Sequence, residues 1–261
     1  MCRLYGQRAD GSASAEDPLL SHHNALRIQS HRHSHGWGVA WYEHGTPRVL
    51  RGILPAHADA DFCEAAAGAR SEVVLAHVRD ASVGAIRAEN THPFVHGRWT
   101  FAHNGTVARF RTSSRVRARL EAEIDPDLRI ALLGETDSER CFHLFLTRLR
   151  ARVHPGADAT MAAVRAALAE TTEVVRRCAD DASHLSSLNF LVSDGRLLVA
   201  CRRGRDLVHH LRERPSRLFV VASEIVAGAG WEPVPEGGFV GVDEEFHVTH
   251  GLLRGRTRPA A

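Results

Sequence analysis

The sequence predicts an α+β fold built on antiparallel sheets. Three observations lead there: many short β-rich runs, two amphipathic helical segments, and no regular strand–helix alternation of the kind that builds parallel sheets. In chain order, Cys2-Arg3-Leu4-Tyr5-Gly6 reads as the start of a strand, and the small, polar stretch 9–18 reads as a loop. Residues 38–42 form a β-rich run that stops at Glu43-His44-Gly45, and 73–78 and 99–103 are further strands. From 137 to 150, Cys141, Phe142, Phe145, Leu146 and Leu149 recur at spacings of three and four, which predicts a helix with one buried stripe. Thr136 and Glu139 predict a capping box at its start. From 160 to about 178, Met161, Val164, Leu168 and Val175 share one side of a second, alanine-rich helix. Asp194-Gly195, between β-rich 189–193 and 196–200, predicts a two-residue hairpin, and 218–222 and 246–249 complete the strands. Nothing marks a linker, so 1–261 reads as one domain.

Composition removes whole classes of chemistry. The 261 residues carry 33 basic against 31 acidic side chains, a net charge of +2, which gives no electrostatic case for nucleic acid or a membrane surface. Every basic residue is arginine. Without lysine there is no Schiff base, no pyridoxal-phosphate attachment and no phosphate-loop GK[ST]. The cysteines, Cys2, Cys63, Cys141, Cys178 and Cys201, are scattered and form no CxxC pair, so neither a zinc ribbon nor a disulfide framework is expected. Met-Cys-Arg-Leu-Tyr-Gly has no apolar signal core, and no run of about 18 apolar residues occurs. A soluble, cytoplasmic protein is expected.

Cys2 carries the chemistry. Removal of Met1 leaves a thiol and a free α-amine on one residue; the amine, with an ordinary pKa of about 7.7–8.0, serves as a base that activates the thiol without a histidine. The competing reading is a small apolar residue opening a strand. A thiolate attacking an amide generates an oxyanion that needs preorganised donors. Asn104 and Gly105, in Phe101-Ala102-His103-Asn104-Gly105-Thr106, offer a side-chain amide and a closely approachable backbone N–H; the competing reading is an Asn-Gly hairpin turn. Arg79 follows a strand, and its planar fork suits a carboxylate, against the alternative of an exposed arginine paired with Asp80. Asp137 is suited to an ammonium, or merely to the helix dipole.

Taken together, Met-Cys, His35-Gly36-Trp37-Gly38-Val39-Ala40-Trp41-Tyr42, Ala76-His77-Val78-Arg79, Glu89-Asn90-Thr91-His92-Pro93-Phe94, Ala102-His103-Asn104-Gly105 and Gly134-Glu135-Thr136-Asp137-Ser138-Glu139 resemble the class II glutamine amidotransferase domain. The likeness is strongest to its stand-alone bacterial members. Ser187-Leu188-Asn189-Phe190-Leu191-Val192-Ser193-Asp194-Gly195 and Val221-Ala222-Ser223-Glu224 extend it into the second half. The resemblance implies the four-layer αββα sandwich of the N-terminal nucleophile (Ntn) hydrolases and an amidohydrolase acting through a γ-glutamyl thioester. It implies Cys2 as nucleophile, Asn104 and Gly105 as oxyanion hole, Arg79 and Asp137 as holders of the glutamine α-carboxylate and α-ammonium, and Ser82 near the substrate. No cofactor or metal is implied. The chain departs from the pattern at His35, where an aspartate is common, and at Asp80, where synthase members carry a tryptophan.

The remaining features yield less. His31, His33 and His35 alternate, yet with no carboxylate or cysteine ligand nearby they read as solvated loop residues. Gly228-Ala229-Gly230 lacks the third glycine of a dinucleotide fingerprint, and the arginine-rich 109–119 reads as a solvated face. The ammonia acceptor is left open: a separate partner protein, or none, as in the γ-glutamyl amidohydrolase of the ergothioneine pathway. A non-catalytic glutamine-binding relative is the alternative of a different class.

Overall fold

The computed structural model describes residues 2–254 and the backbone of 257–259. Fourteen strands follow in chain order: β1 (Arg3–Ser14), β2 (Trp37–Glu43), β3 (Thr46–Gly52), β4 (Arg70–Val78), β5 (Phe94–His96), β6 (Trp99–Thr106), β7 (Ser187–Ser193), β8 (Leu198–Cys201), β9 (Val208–Arg212), β10 (Leu218–Ala222), β11 (Glu232–Pro233), β12 (Gly238–Val242), β13 (Val248–Leu252) and β14 (Thr257–Pro259). The helices are α1 (Leu26–Gln29), α2 (Ala60–Gly68), α3 (Ser114–Ala122), α4 (Pro126–Ile130), α5 (Asp137–Arg150) and α6 (Met161–Ala179). Two seven-stranded antiparallel sheets result, ordered β11-β9-β10-β1-β4-β2-β3 and β14-β13-β12-β8-β7-β6-β5.

Side-chain alternation along the strands explains the layering. On β1 and β4, Leu4, Val73 and Leu75 point into a middle core with Ala102, Leu191, Leu198 and Val240 of the facing sheet. The intervening Tyr5, Val74, Ala76 and Val78 point outward beneath Phe62, Ala65 and Ala66 of α2. The second sheet is covered in the same way: Phe101, Phe190 and Val199 pack under Phe142 and Phe145 of α5 and Leu168 of α6. Helix, sheet, sheet, helix is the αββα order, and strands buried on both faces account for the near-continuous apolar runs.

Several expectations need correction. Residues 9–14 are not a loop but continue β1, and 17–21 form a helical turn; with β10 and β4 on either side, β1 stays paired despite small polar residues, with a register irregularity between Arg8 and Ala13. The hairpin at Asp194-Gly195 has four loop residues, since Ser193 pairs with Leu198, and Asp194 Oδ1 accepts the N–H groups of Arg196 and Leu197. The strand expected at 246–249 is shifted to β13. Only half of the capping box forms: Thr136 Oγ1 accepts the Glu139 N–H, whereas the Glu139 carboxylate turns to the N–H groups of Leu133 and Gly134. Helices α2, α3 and α4 were not foreseen; α3 buries just Val116 and Leu120, too thin a stripe to stand out among its arginines, which are solvated as expected. Among the described residues no helix is long and apolar enough to cross a membrane.

Candidate active site

Antiparallel pairing sets the nucleophile's place. Arg3 on β1 lies opposite Val78 on β4, so Cys2 falls beside the residues that leave β4, Arg79 and Asp80. Cys2 Sγ sits 3.3 Å from the Asp80 N–H that donates to it, and 3.5 Å from the Asp80 carbonyl. Burial pushes the Cys2 thiol up, and the Asp80 N–H partly offsets this. The strand behind Cys2 is pinned by Ser223, whose Oγ accepts the Leu4 N–H at 3.1 Å and whose own N–H donates to the Leu4 carbonyl.

Arg79 is 2% exposed and does not pair with Asp80, which corrects the exposed-arginine alternative. Its terminal nitrogens donate to the carbonyls of Ala85 and Val83 at 3.0 Å and of Gly84 at 3.3 Å, closing the loop after β4 over the site. Its Nε makes no hydrogen bond among the described residues. Burial lowers its pKa, opposed in smaller measure by Cys2 and Asp137 nearby. Asp80 instead lies 3.3 Å from His35 Nδ1, and the Ala81 N–H donates to the same nitrogen. The two departures from the family pattern therefore meet beside Cys2.

Asp137 opens α5 and is buried. Its Oδ2 accepts the Val107 N–H at 2.7 Å and its Oδ1 the Ser138 N–H at 3.0 Å, so it ties the exit of β6 to the helix, more than a dipole effect requires. Asn104 and Gly105 are not a turn. They lie inside β6, opposite Asn189 and Leu188 of β7. A Cβ at Gly105 would fall 1.9 Å from the Ser187 carbonyl, which is why glycine stands there. The Asn104 side-chain amide makes no hydrogen bond among the described residues although the residue is 4% exposed. It faces a cavity of about 240 Å³ lined also by Arg3, Arg205, Ser223 and Glu224. The amide thus opens on the cavity with its hydrogen-bonding groups unused by the described residues. Ser82 is exposed and lines an adjoining cavity of about 300 Å³ with Thr106, Val107 and Arg205. A shallower concavity of about 620 Å³ lies far from these groups, between ion-paired Arg148 and Glu123 and ion-paired Arg152 and Glu170.

The histidines do not converge on a metal. His31 stacks on His57 at 3.8 Å, His33 is buried rather than solvated, and His35 reaches Asp80. Behind Arg79, His77 and His92 touch edge-to-face at 4.2 Å. His103 bridges the sheets to α5: a carbonyl acceptor (Ser187 O, 3.0 Å) assigns the proton to Nε2, and Nδ1 then accepts the Ser138 hydroxyl at 2.9 Å. Burial lowers His33 to about 4 and His77 to about 3 from an ordinary 6.5. The unfolded chain thus takes up protons near pH 6.5 that the native one refuses until far lower, and stability falls as pH drops through this window. Denaturant titrations from pH 7 to 4.5 should show a loss that steepens toward at most about 1.4 kcal/mol per pH unit for each such histidine below pH 6; His33→Asn should flatten the slope.

Arg205 and Glu224 had no role in the sequence reading. Ser223 and Glu224 stood within a resembling motif, whereas Arg205 was one arginine among 33.

A thiol at the head of a central strand, between two facing antiparallel sheets with helices outside both, defines the Ntn-hydrolase type of sandwich. Residues 1–226 match the family model for class II glutamine amidotransferases, and the chain belongs to that family. It is 31% identical over 195 residues to the Saccharomyces cerevisiae protein named probable glutamine amidotransferase DUG3, covering 68% of this chain and 54% of that one. It is 28% identical over 234 residues to the gamma-glutamyl-hercynylcysteine sulfoxide hydrolase of Mycolicibacterium smegmatis, covering 88% and 87%. The solved glutamine aminotransferase class-II domain protein of Silicibacter pomeroyi shares the fold with a TM-score of 0.68 and 23% identity, over 96% of this chain and 98% of that one. The chain spans little more than half the length of several curated relatives it matches.

Proposed function

We propose that residues 1–261 form one amidohydrolase domain that cleaves the γ-amide of glutamine or of a γ-glutamyl compound. With Met1 removed, the Cys2 α-amine takes the thiol proton and Sγ attacks the γ-carbonyl carbon. The amide C–N bond breaks, the leaving nitrogen takes that proton, and a γ-glutamyl thioester remains. Water then attacks the thioester, giving glutamate and the free thiol. The Asn104 amide and the Gly105 N–H would stabilise the oxyanion in both halves. Arg79 would hold the α-carboxylate with the Nε–H that no protein group takes, and Asp137 the α-ammonium with its remaining lone pairs. Ser82 lies near the glutamyl end. With glutamine, the released ammonia would pass to a partner protein.

The observation that carries this reading is geometric: where β4 ends, Cys2 Sγ lies 3.3 Å from the Asp80 N–H, next to the buried Arg79. A γ-glutamyl amide is favoured over glutamine by one comparison: the mycobacterial hydrolase is matched over nearly its whole length. Two measurements test the proposal. Intact mass should show loss of Met1, and a glutamine-like diazoketone should then add one label, at Cys2. Retained Met1 with no labelling would favour the non-catalytic relative.

A further inference from the structure

The substrate class follows from Arg205, an inference that rests on the γ-glutamyl reading above. Arg205 lies in the turn between β8 and β9 and borders both cavities, the one beside Asn104 and the one beside Ser82. That turn is firmly held: fully buried Asn189 donates through Nδ2 to the carbonyls of Arg205 and Asp206 at 3.1 Å, and its Oδ1 accepts the Arg203 N–H at 2.8 Å. Asn189 is also the register partner of Asn104, so the turn is fixed relative to the oxyanion donor.

The charges around the Asn104 cavity are unequal. Arg3 pairs with Glu224, and Asp206 pairs with Arg202 at 3.0 Å. Arg205 has no carboxylate within ion-pair distance among the described residues, and its side chain makes one hydrogen bond, from Nε to Ser187 Oγ at 3.3 Å. Its terminal nitrogens are unspent. Size points the same way. The cavity on the Arg3 side of Asn104 holds about 240 Å³, whereas ammonia needs about the 30 Å³ of one water. Under the reading above, a γ-carbonyl held at the Asn104 amide would set its leaving group in this space, which Asn104 and Arg205 both line.

We propose that Arg205 receives a carboxylate carried by the leaving amine, so that the preferred substrate is a γ-glutamyl amide of an amino acid rather than glutamine. The guanidinium fork supplies two parallel N–H donors to that carboxylate, and the cavity takes the amino acid's side chain.

The test compares γ-glutamylglycine with its neutral relative γ-glutamylglycinamide, scoring released glutamate for the wild type, Arg205→Met and Arg205→Lys. In the wild type, kcat/KM for the carboxylate should exceed that for the amide by about tenfold. The ratio should approach one in Arg205→Met, and Arg205→Lys, which keeps the charge and loses the fork, should retain part of it. The ratio compares two substrates on one preparation, so a partly destabilised variant does not distort it. A wild-type ratio near one, or one that survives in Arg205→Met, overturns the assignment of Arg205 and leaves the amidohydrolase standing. No glutamate from either compound or from glutamine overturns the amidohydrolase, and this inference with it.

Discussion

Cys2→Ala is expected to leave no detectable release of glutamate from glutamine or from any γ-glutamyl amide, a loss of at least about 10⁴-fold in kcat. The size follows from what the sulfur would do. It is the atom that forms the new bond, and without it only positioning and oxyanion donors remain to act on a water molecule. The same variant should fold normally. Cys2 precedes β1, and among the described residues its sulfur hydrogen-bonds to the Asp80 backbone alone, so no strand pairing is lost with it. Substrate should still raise the melting temperature of Cys2→Ala, because Arg79 and Asp137 are untouched. Kinetics together with thermal shift separate a lost nucleophile from a lost pocket, and undiminished turnover would refute the assignment.

Asn104→Ala should lower kcat by about 10²–10³ with a smaller change in KM. The Asn104 amide has no hydrogen-bond partner among the described residues, so its removal leaves none of their groups unpaired and should barely move the melting temperature. A donor that is idle in the resting site and needed once the carbonyl oxygen becomes negative acts on the transition state, which is the signature of a fall in kcat alone. Asn104→Asp would set a carboxylate against the developing charge and should be worse than alanine. A large melting shift with unchanged kcat would instead mark Asn104 as structural.

Most of the scaffold was legible in order. Helix α5 begins and ends where its apolar spacing places it, and α6 (Met161–Ala179) lies within one residue of the range its apolar side predicts, because both signals are local to the helix that carries them. The candidate site residues Cys2, Arg79, Asn104, Gly105 and Asp137 could be singled out from the sequence too. What they do in the fold was not legible there. The competing readings made Asn104-Gly105 a hairpin turn and Arg79 an exposed charge paired with Asp80. Both readings failed for the same reason: β7 and the loop after β4 supply partners that lie elsewhere in the sequence.

The sequence by itself determined where the two long helices run, which of their faces are apolar, and which chemical groups are available, since each of these depends on neighbours a few residues apart. Tertiary structure alone decided that β1 runs on to Ser14, that the Arg79 guanidinium is buried against the carbonyls of Val83 and Ala85, and that Arg205 borders two cavities. Those facts arise from pairings between residues far apart in the chain, where the partner's identity, and not the local pattern, sets the geometry.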